Sequence, residues 1–480
     1  MTTQSTEGSR DQASGGWTER HEWTVPDDLE LRRVLALDRR AEHVLLVVGG
    51  PDGDRILVDG IEHGPFGSTG SAVENALVVH PDTGRYACPV ITESGAFVLV
   101  DGVPQQSFDA MSADVAPAFS PDGAHVAYGA ATVPGRYGGE PALVVDGEVR
   151  DVPLAAAQVQ FAPDGRLVYV ELAPDGRRQR VVVGGEPGPW VDEVLSFEDP
   201  TRWTGRAVDA DAVVFSRSSG SFAYAAGVHG GQVVLRDHVP GPVHESVYIP
   251  AFGGDRLTYV VGHTVGRFLR HETRYAVVVD DVAGPEFPFV APGVAIRGGT
   301  VAYLAGESDA IARLHLDHEP SGAELVAMSG VHVTDSGRLW FVAGSGDTCR
   351  LVLDGVPGPG APVVLESSVQ ESADGQHVGY LVGEEGGGYS DGGRPHLVLD
   401  GTALEHDVDD RFWPTGHSFS PDSRVAAIGV RAGSGMRAWV QDHPLGPKFE
   451  AVAGPWWGPE EVTFLGIRLD EVIRSTLPLG

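Results

Sequence analysis

The chain is predicted to be all-β, a β-propeller built from about ten to eleven four-stranded blades. The first observation behind this is a phrase that recurs ten times, a short apolar run closed by Asp-Gly or a variant. It reads ILVDG (Ile56–Gly60), VLVDG (Val98–Gly102), LVVDG (Leu143–Gly147), LVLDG (Leu351–Gly355) and LVLDG again (Leu397–Gly401). Worn copies are VVVGG (Val181–Gly185), VVLRDH (Val233–His238), VVVDD (Val277–Asp281), LHLDH (Leu314–His318) and WVQDH (Trp439–His443). The second observation is the spacing: from Asp59 to Asp442 the mean period is about 43 residues, the length of one four-stranded blade. The third is composition, with 65 Gly and 34 Pro placed between the apolar runs, where turns require them.

Within a repeat the strands, A to D, follow in order. In the fourth repeat, strand A is Val159–Phe161 and the turn Ala162–Gly165 follows. Strand B is Arg166–Leu172, strand C is Arg180–Val183, and strand D lies around Pro189–Leu195. Apolar and β-branched runs broken by Gly and Asp are what an antiparallel meander requires. Asp-Gly suits a two-residue hairpin because Gly takes positive φ without steric cost. After the tenth copy, Val452–Leu477 reads as strands A, B and C of one more blade, and Trp17–Val25 is placed to supply its fourth strand. Such pairing would cover two sheet edges.

A single ring holds four to eight blades as a rule, so two rings are expected, with one oversized ring as the alternative. The expected partition is a tail, 1–25, a first ring from 26–200 with 452–477, and a second from 205–451. The break is put at Phe197–Asp211, the longest non-repetitive insertion.

The A–B turn is best kept as FSPDG (Phe119–Gly123), FAPDG (Phe161–Gly165) and FSPDS (Phe419–Ser423). Strand D opens with Gly-Pro and an aromatic at Gly64-Pro65-Phe66 and Gly188-Pro189-Trp190, and with one residue interposed at Gly446-Pro447-Lys448-Phe449. With the LVVDG phrase, these motifs make the chain after about residue 25 resemble the WD40-like repeats of bacterial TolB-like propellers. The resemblance implies a ligand- or protein-binding platform, often without catalysis. Hydrolases of that kind carry a separate α/β-hydrolase domain, for which this chain has no room.

Net charge is −33, which argues against nucleic acid and anionic membranes as partners, because neutralising phosphate needs a basic face. Lys448 is the one lysine, so nearly all cations are Arg. Cys88 and Cys349 lie far apart and read as two buried thiols. The first sixteen residues are polar and show no leader, and no apolar run is long enough to span a membrane, so a cytoplasmic location is the default expectation.

In a meander the A–B and C–D turns share one end, and the B–C and D–A connections share the other. The first set is uniformly short. The long insertions are Gly129–Glu140, Gly262–Arg274 and Gly383–Arg394 (B–C), with Phe197–Asp211 and Thr402–His417 (D–A). Long loops on a rigid scaffold carry function more often than short ones do. The candidate ligand-binding residues there are Arg136, Tyr137, Arg202, Trp203, Arg206, Arg270, His271, Arg394, Trp413 and His417. Arg beside aromatics suits a small anionic or aromatic ligand, or a protein partner, through forked hydrogen bonds and stacking. The bland alternative for each Arg is a surface ion pair.

Other motifs weigh less. Gly388–Gly392 matches Gly-x-Ser-x-Gly, but in a Gly-rich loop rather than a strand–helix elbow, which leaves Ser390 without the needed setting. His315, Asp317 and His318 could ligate a metal, but strand C is an outer strand and Asp-His recurs as a turn variant. Asp407, Asp409 and Asp410 lack the calcium-loop spacing. Glu193, Glu198 and Asp199 come with no motif for sugar chemistry. No metal and no cofactor is expected. Two functions are carried forward: a binding module presenting the long B–C and D–A loops, and a pore-mouth enzyme (lyase, cyclase or hydrolase) of bacterial specialised metabolism.

Overall fold

The computed structural model describes residues 16–479 except 27, 38–40, 42, 67–76, 93–94, 109–116, 132–140, 151, 153, 196–212, 268–269, 346–347, 384–395, 405–416, 424–425, 433–434, 459 and 470. The described residues form strands and turns throughout, in antiparallel sheets, eight of them of four strands. The fold is an all-β propeller built of successive antiparallel meanders. In the repeat Ala118–Phe119, Val126–Ala131, Pro141–Val145 and Glu148–Arg150, each strand pairs with the next. The largest sheet has nine strands, because Glu319–Ala327 is strand D of one meander and its last two residues pair into the next.

The chain divides into two compact units, one comprising Met1–Glu74, Val79–Tyr86 and Ala361–Gly480, the other Asn75–Val78 and Ala87–Gly360. This is not the division expected at 200–205. A single core joins Val181, Val191 and Val194 to Val213, Phe222, Tyr224 and Val233, so the two sides of that expected break are packed together. Phe197–Asp211 lies outside the described residues, and the strands on either side of it are not a strand D and a strand A. Glu193–Val194 and Val213–Phe215 both pair with Phe222–Val228, so both belong to strand A of one sheet. Strand D of the preceding meander is accordingly shorter than Pro189–Leu195. It is Glu186–Pro187 with an isolated bridge at Val191, and Glu193 already belongs to the next sheet.

In the first unit Thr18–Thr24 pairs antiparallel with Glu471–Pro478, completing a sheet with Ala451–Trp457 and Glu461–Arg468. Trp17 is fully buried there, its ring 6.0 Å from that of Phe464 and its indole N–H donating to the Pro444 carbonyl at 3.0 Å. Arg468 pairs with Glu19 at 2.8 Å and Arg474 with Glu22.

The recurrent Asp has a structural task that its turn propensity alone does not explain. Asp59, Asp146, Asp237, Asp280, Asp317, Asp354 and Asp400 all take φ between 47° and 51°. In each, Oδ1 accepts the backbone N–H that opens strand B of the same meander, at 2.9–3.0 Å: Val44, Val126, Phe222, Leu257, Val301, Leu339 and Val378. The C–D turn is thereby pinned to the end of the A–B turn. A short carboxylate that tolerates left-handed backbone meets both demands. Oδ2 then meets the residue preceding that N–H in the chain, as in His43–Asp59 (2.7 Å), His125–Asp146 (2.7 Å), His377–Asp400 (2.6 Å) and Arg256–Asp280 (3.0 Å).

The worn turns also have a reason. Strand B places a fully buried tyrosine in several meanders: Tyr128, Tyr224, Tyr259, Tyr303 and Tyr380. Where the turn is Asp-His or Asp-Asp, its second residue meets that hydroxyl: Tyr224 with His238 Nδ1 (3.1 Å), Tyr259 with Asp281 Oδ1 (3.0 Å) and Tyr303 with His318 Nδ1 (3.0 Å). Where the turn is Asp-Gly, at Gly147 and Gly401, the hydroxyls of Tyr128 and Tyr380 have no hydrogen-bond partner among the described residues. The non-glycine turns accept positive φ (64–71°) and satisfy a buried polar group in return. Tyr303→Phe is therefore expected to destabilise the protein by about 1 kcal/mol, since it strands His318, whereas Tyr380→Phe removes an unsatisfied hydroxyl and leaves stability unchanged or raised. Urea unfolding of both variants checks the contrast; equal losses would refute it.

Candidate functional site

Seven of the ten predicted ligand-binding residues, Arg136, Tyr137, Arg202, Trp203, Arg206, Arg394 and Trp413, lie outside the described residues, as do Ser390 and the Asp407–Asp410 cluster. His417 opens the strand His417–Phe419 in the first unit. Arg270 and His271 begin the strand Arg270–Val279 in the second unit.

Gly262–Arg274 was expected to be a loop and is a ribbon instead. Arg256–Arg267 and Arg270–Val279 pair without interruption from Thr258↔Val279 to Arg267↔Arg270, leaving a two-residue connection at 268–269. β-Branched and aromatic residues on both strands favour pairing over an irregular loop, and outweigh Gly266 (φ 135°), which weakens a strand interior. The flanking strands do not follow. Ser246–Gly253 pairs with the first strand only as far as Ser246↔Gly262, and Val282–Phe287 pairs with the second only from Tyr275↔Phe287. From His263 to Arg274 the hairpin thus stands as two strands alone among the described residues. In register, Arg267 is opposite Arg270, Val265 opposite Glu272 and His263 opposite Arg274, so these positions share one face. The other face holds Gly266 opposite His271, Thr264 opposite Thr273 and Gly262 opposite Tyr275.

The root of the ribbon is fastened by side chains. Glu245 accepts from the Thr264 backbone N–H (2.7 Å) and hydroxyl (2.7 Å), which hold its carboxyl below the usual carboxylate range. The Ser246 hydroxyl donates to the Gly262 carbonyl at 3.0 Å. The Tyr248 and Tyr275 rings meet edge-on at 5.9 Å. Burial, then the neighbouring Tyr248, raise the Tyr275 hydroxyl. Arg274 pairs with Glu272 at 2.9 Å, and His263 lies 3.7 Å from Glu286. Arg274 therefore does have the surface ion pair that the bland alternative foresaw.

The residues weighed as metal ligands have structural roles. His315 is buried, stacked on Tyr303 (5.2 Å) and edge-on to Phe287 (4.8 Å), and Asp317 is the strand-B clip described above. Among the described residues no group of three or more His, Cys, Asp or Glu could hold a metal ion. Cys88 and Cys349 are buried. Burial pushes His315 and His238 below the ordinary histidine value of 6.5. The unfolded chain then takes up protons at higher pH than the folded one. Stability is fully present above 6.5 and is lost as pH falls from there towards the folded values. A thermal midpoint lower at pH 5 than at pH 7, with a smaller difference in His315→Phe, is the expected result; a pH difference unchanged by the substitution would rule His315 out as a contributor.

No family model matches the sequence, and no curated protein does. Solved structures to which the chain is similar include a eukaryotic initiation factor (12% identity, 76% of this chain and 85% of that one, TM-score 0.37). Others are the Dos1 propeller (9%, 76% and 92%, TM-score 0.31) and the open-velcro propeller domain of the trilobed protease from Pyrococcus furiosus (9%, 68% and 93%, TM-score 0.29). At these identities the likeness is one of fold alone.

Proposed function

We propose that the chain is a binding module in which the B–C connections present cationic and aromatic residues to an anionic partner. The observation that supports this most directly is the ribbon at 262–274, where Arg267, Arg270, His271, Arg274 and His263 are gathered on a two-stranded projection of a protein whose net charge is −33. A basic projection on an acidic body directs an anionic partner to one place, because the rest of the surface repels it. Arg suits carboxylates in particular, through forked, charge-assisted hydrogen bonds.

The test is fluorescence anisotropy of a labelled glutamate-rich peptide with the intact protein at low and moderate salt. The expected result is salt-dependent binding, weakened about tenfold or more in R267E/R270E/R274E and unaffected by Arg217→Glu, an exposed Arg on an A–B turn. Equal losses in both variants, or no binding by the native chain, would overturn the reading.

A further inference from the structure

We infer that the outer edge of the ribbon strand Arg270–Val279 binds an extended acidic peptide by strand addition. The inference rests on the reading of the ribbon as a binding element and names its partner. A two-residue connection makes Arg267 and Arg270 a hydrogen-bonded pair, and antiparallel pairing alternates from there. The main-chain N–H and C=O of His271 and Thr273 consequently point away from the partner strand, and Val282–Phe287 takes up pairing only at Tyr275. The same alternation turns Thr264 outward on the opposite edge, and there the amide is already taken by Glu245. One edge of the ribbon is thus capped by a carboxylate, and among the described residues the other is left open. Natural sheets pair, cover or charge such edges, and an open edge is a template for another chain.

Charge selects the occupant. A peptide laid along His271–Thr273 presents alternate residues to the face on which positions 263, 267, 270 and 274 are cationic; Glu272 lies on that face too, paired with Arg274, so the face keeps a net positive charge that acidic residues at every second position match. The intervening residues meet the face of Gly266, Thr264 and the Tyr275–Tyr248 pair, which suits apolar or β-branched side chains. A second copy of this chain is a poor occupant, because two bodies of charge −33 repel at long range.

The probe is a labelled peptide of about eight residues alternating Glu and Val, long enough to span the open edge. Two N-methylated versions, methylated at alternate residues in the two possible phases, are compared with it. One phase is expected to bind like the parent and the other about tenfold more weakly or worse, because only one set of amides faces the ribbon. Thr273→Pro, which deletes an outward N–H while sparing the inward ladder, is expected to weaken the parent peptide to the same degree with an unchanged thermal midpoint. Equal binding of both methylated phases, with R267E/R270E/R274E still defective, would overturn strand addition while keeping the basic ribbon as a binding element. Indifference of binding to all of these changes would overturn both. The methylated peptides keep the test decisive should Thr273→Pro fold poorly.

Discussion

Trp17→Ala is expected to lower the free energy of unfolding by about 3–5 kcal/mol, the range for deleting a buried aromatic. Trp17 belongs to a core with Ala438, Val440, Phe449, Val452, Val462, Phe464 and Ile473, described residues that come from the last part of the chain. Its loss leaves a cavity, an unpaired Pro444 carbonyl and a strand, Thr18–Thr24, held by its ladder and by the Arg468 and Arg474 ion pairs. Removal of residues 1–25 goes further, since it also exposes the edge of Glu471–Pro478. Urea unfolding read by tryptophan fluorescence and circular dichroism measures both. A midpoint unmoved by truncation would mean that the composite sheet contributes nothing to stability.

Gly284→Ala is expected to cost about 1–3 kcal/mol by overpacking. A methyl on Gly284 would overlap the His318 ring, which the Tyr303 hydroxyl holds in place from the other side. Gly188 meets His238 and Tyr224 in the same way, and Gly241 meets Asp281. In each case strand D of one meander lacks a side chain where the turn of the next meander inserts. The Gly284→Ala loss is therefore expected to shrink in a His318→Ala background, because the two changes act on one contact. Strict additivity in the double-mutant cycle would show that the ring and the glycine do not oppose one another. The glycines of the Gly-Pro pairs at 188, 241 and 284 are explained by this contact between neighbouring sheets.

Much of the fold could be read from local residues. Asp-Gly turns such as Asp59-Gly60 and short apolar runs such as Ile56–Val58 specify strand and turn within a few residues, so periodicity alone identified an all-β repeat. The tyrosine partners of His238, Asp281 and His318 lie 14, 22 and 15 residues upstream. Their turns therefore looked like decayed copies. A basic residue just before strand B, as at His43, His125 and His377, was the available signal for the Asp clip and carried no weight without the register. The ribbon was misread as a loop because Gly266 and the charged residues around it resemble connector composition, and only cross-strand pairing reveals that they alternate across two faces.

By itself the sequence determined the fold class, the repeat and its turns, since each depends on backbone preferences expressed over a few neighbouring residues. The tertiary structure decided where the units divide, that the strands flanking 197–211 belong to one sheet, and which edge of the ribbon is capped. Those outcomes depend on contacts between residues distant along the chain, whose energies no local pattern encodes.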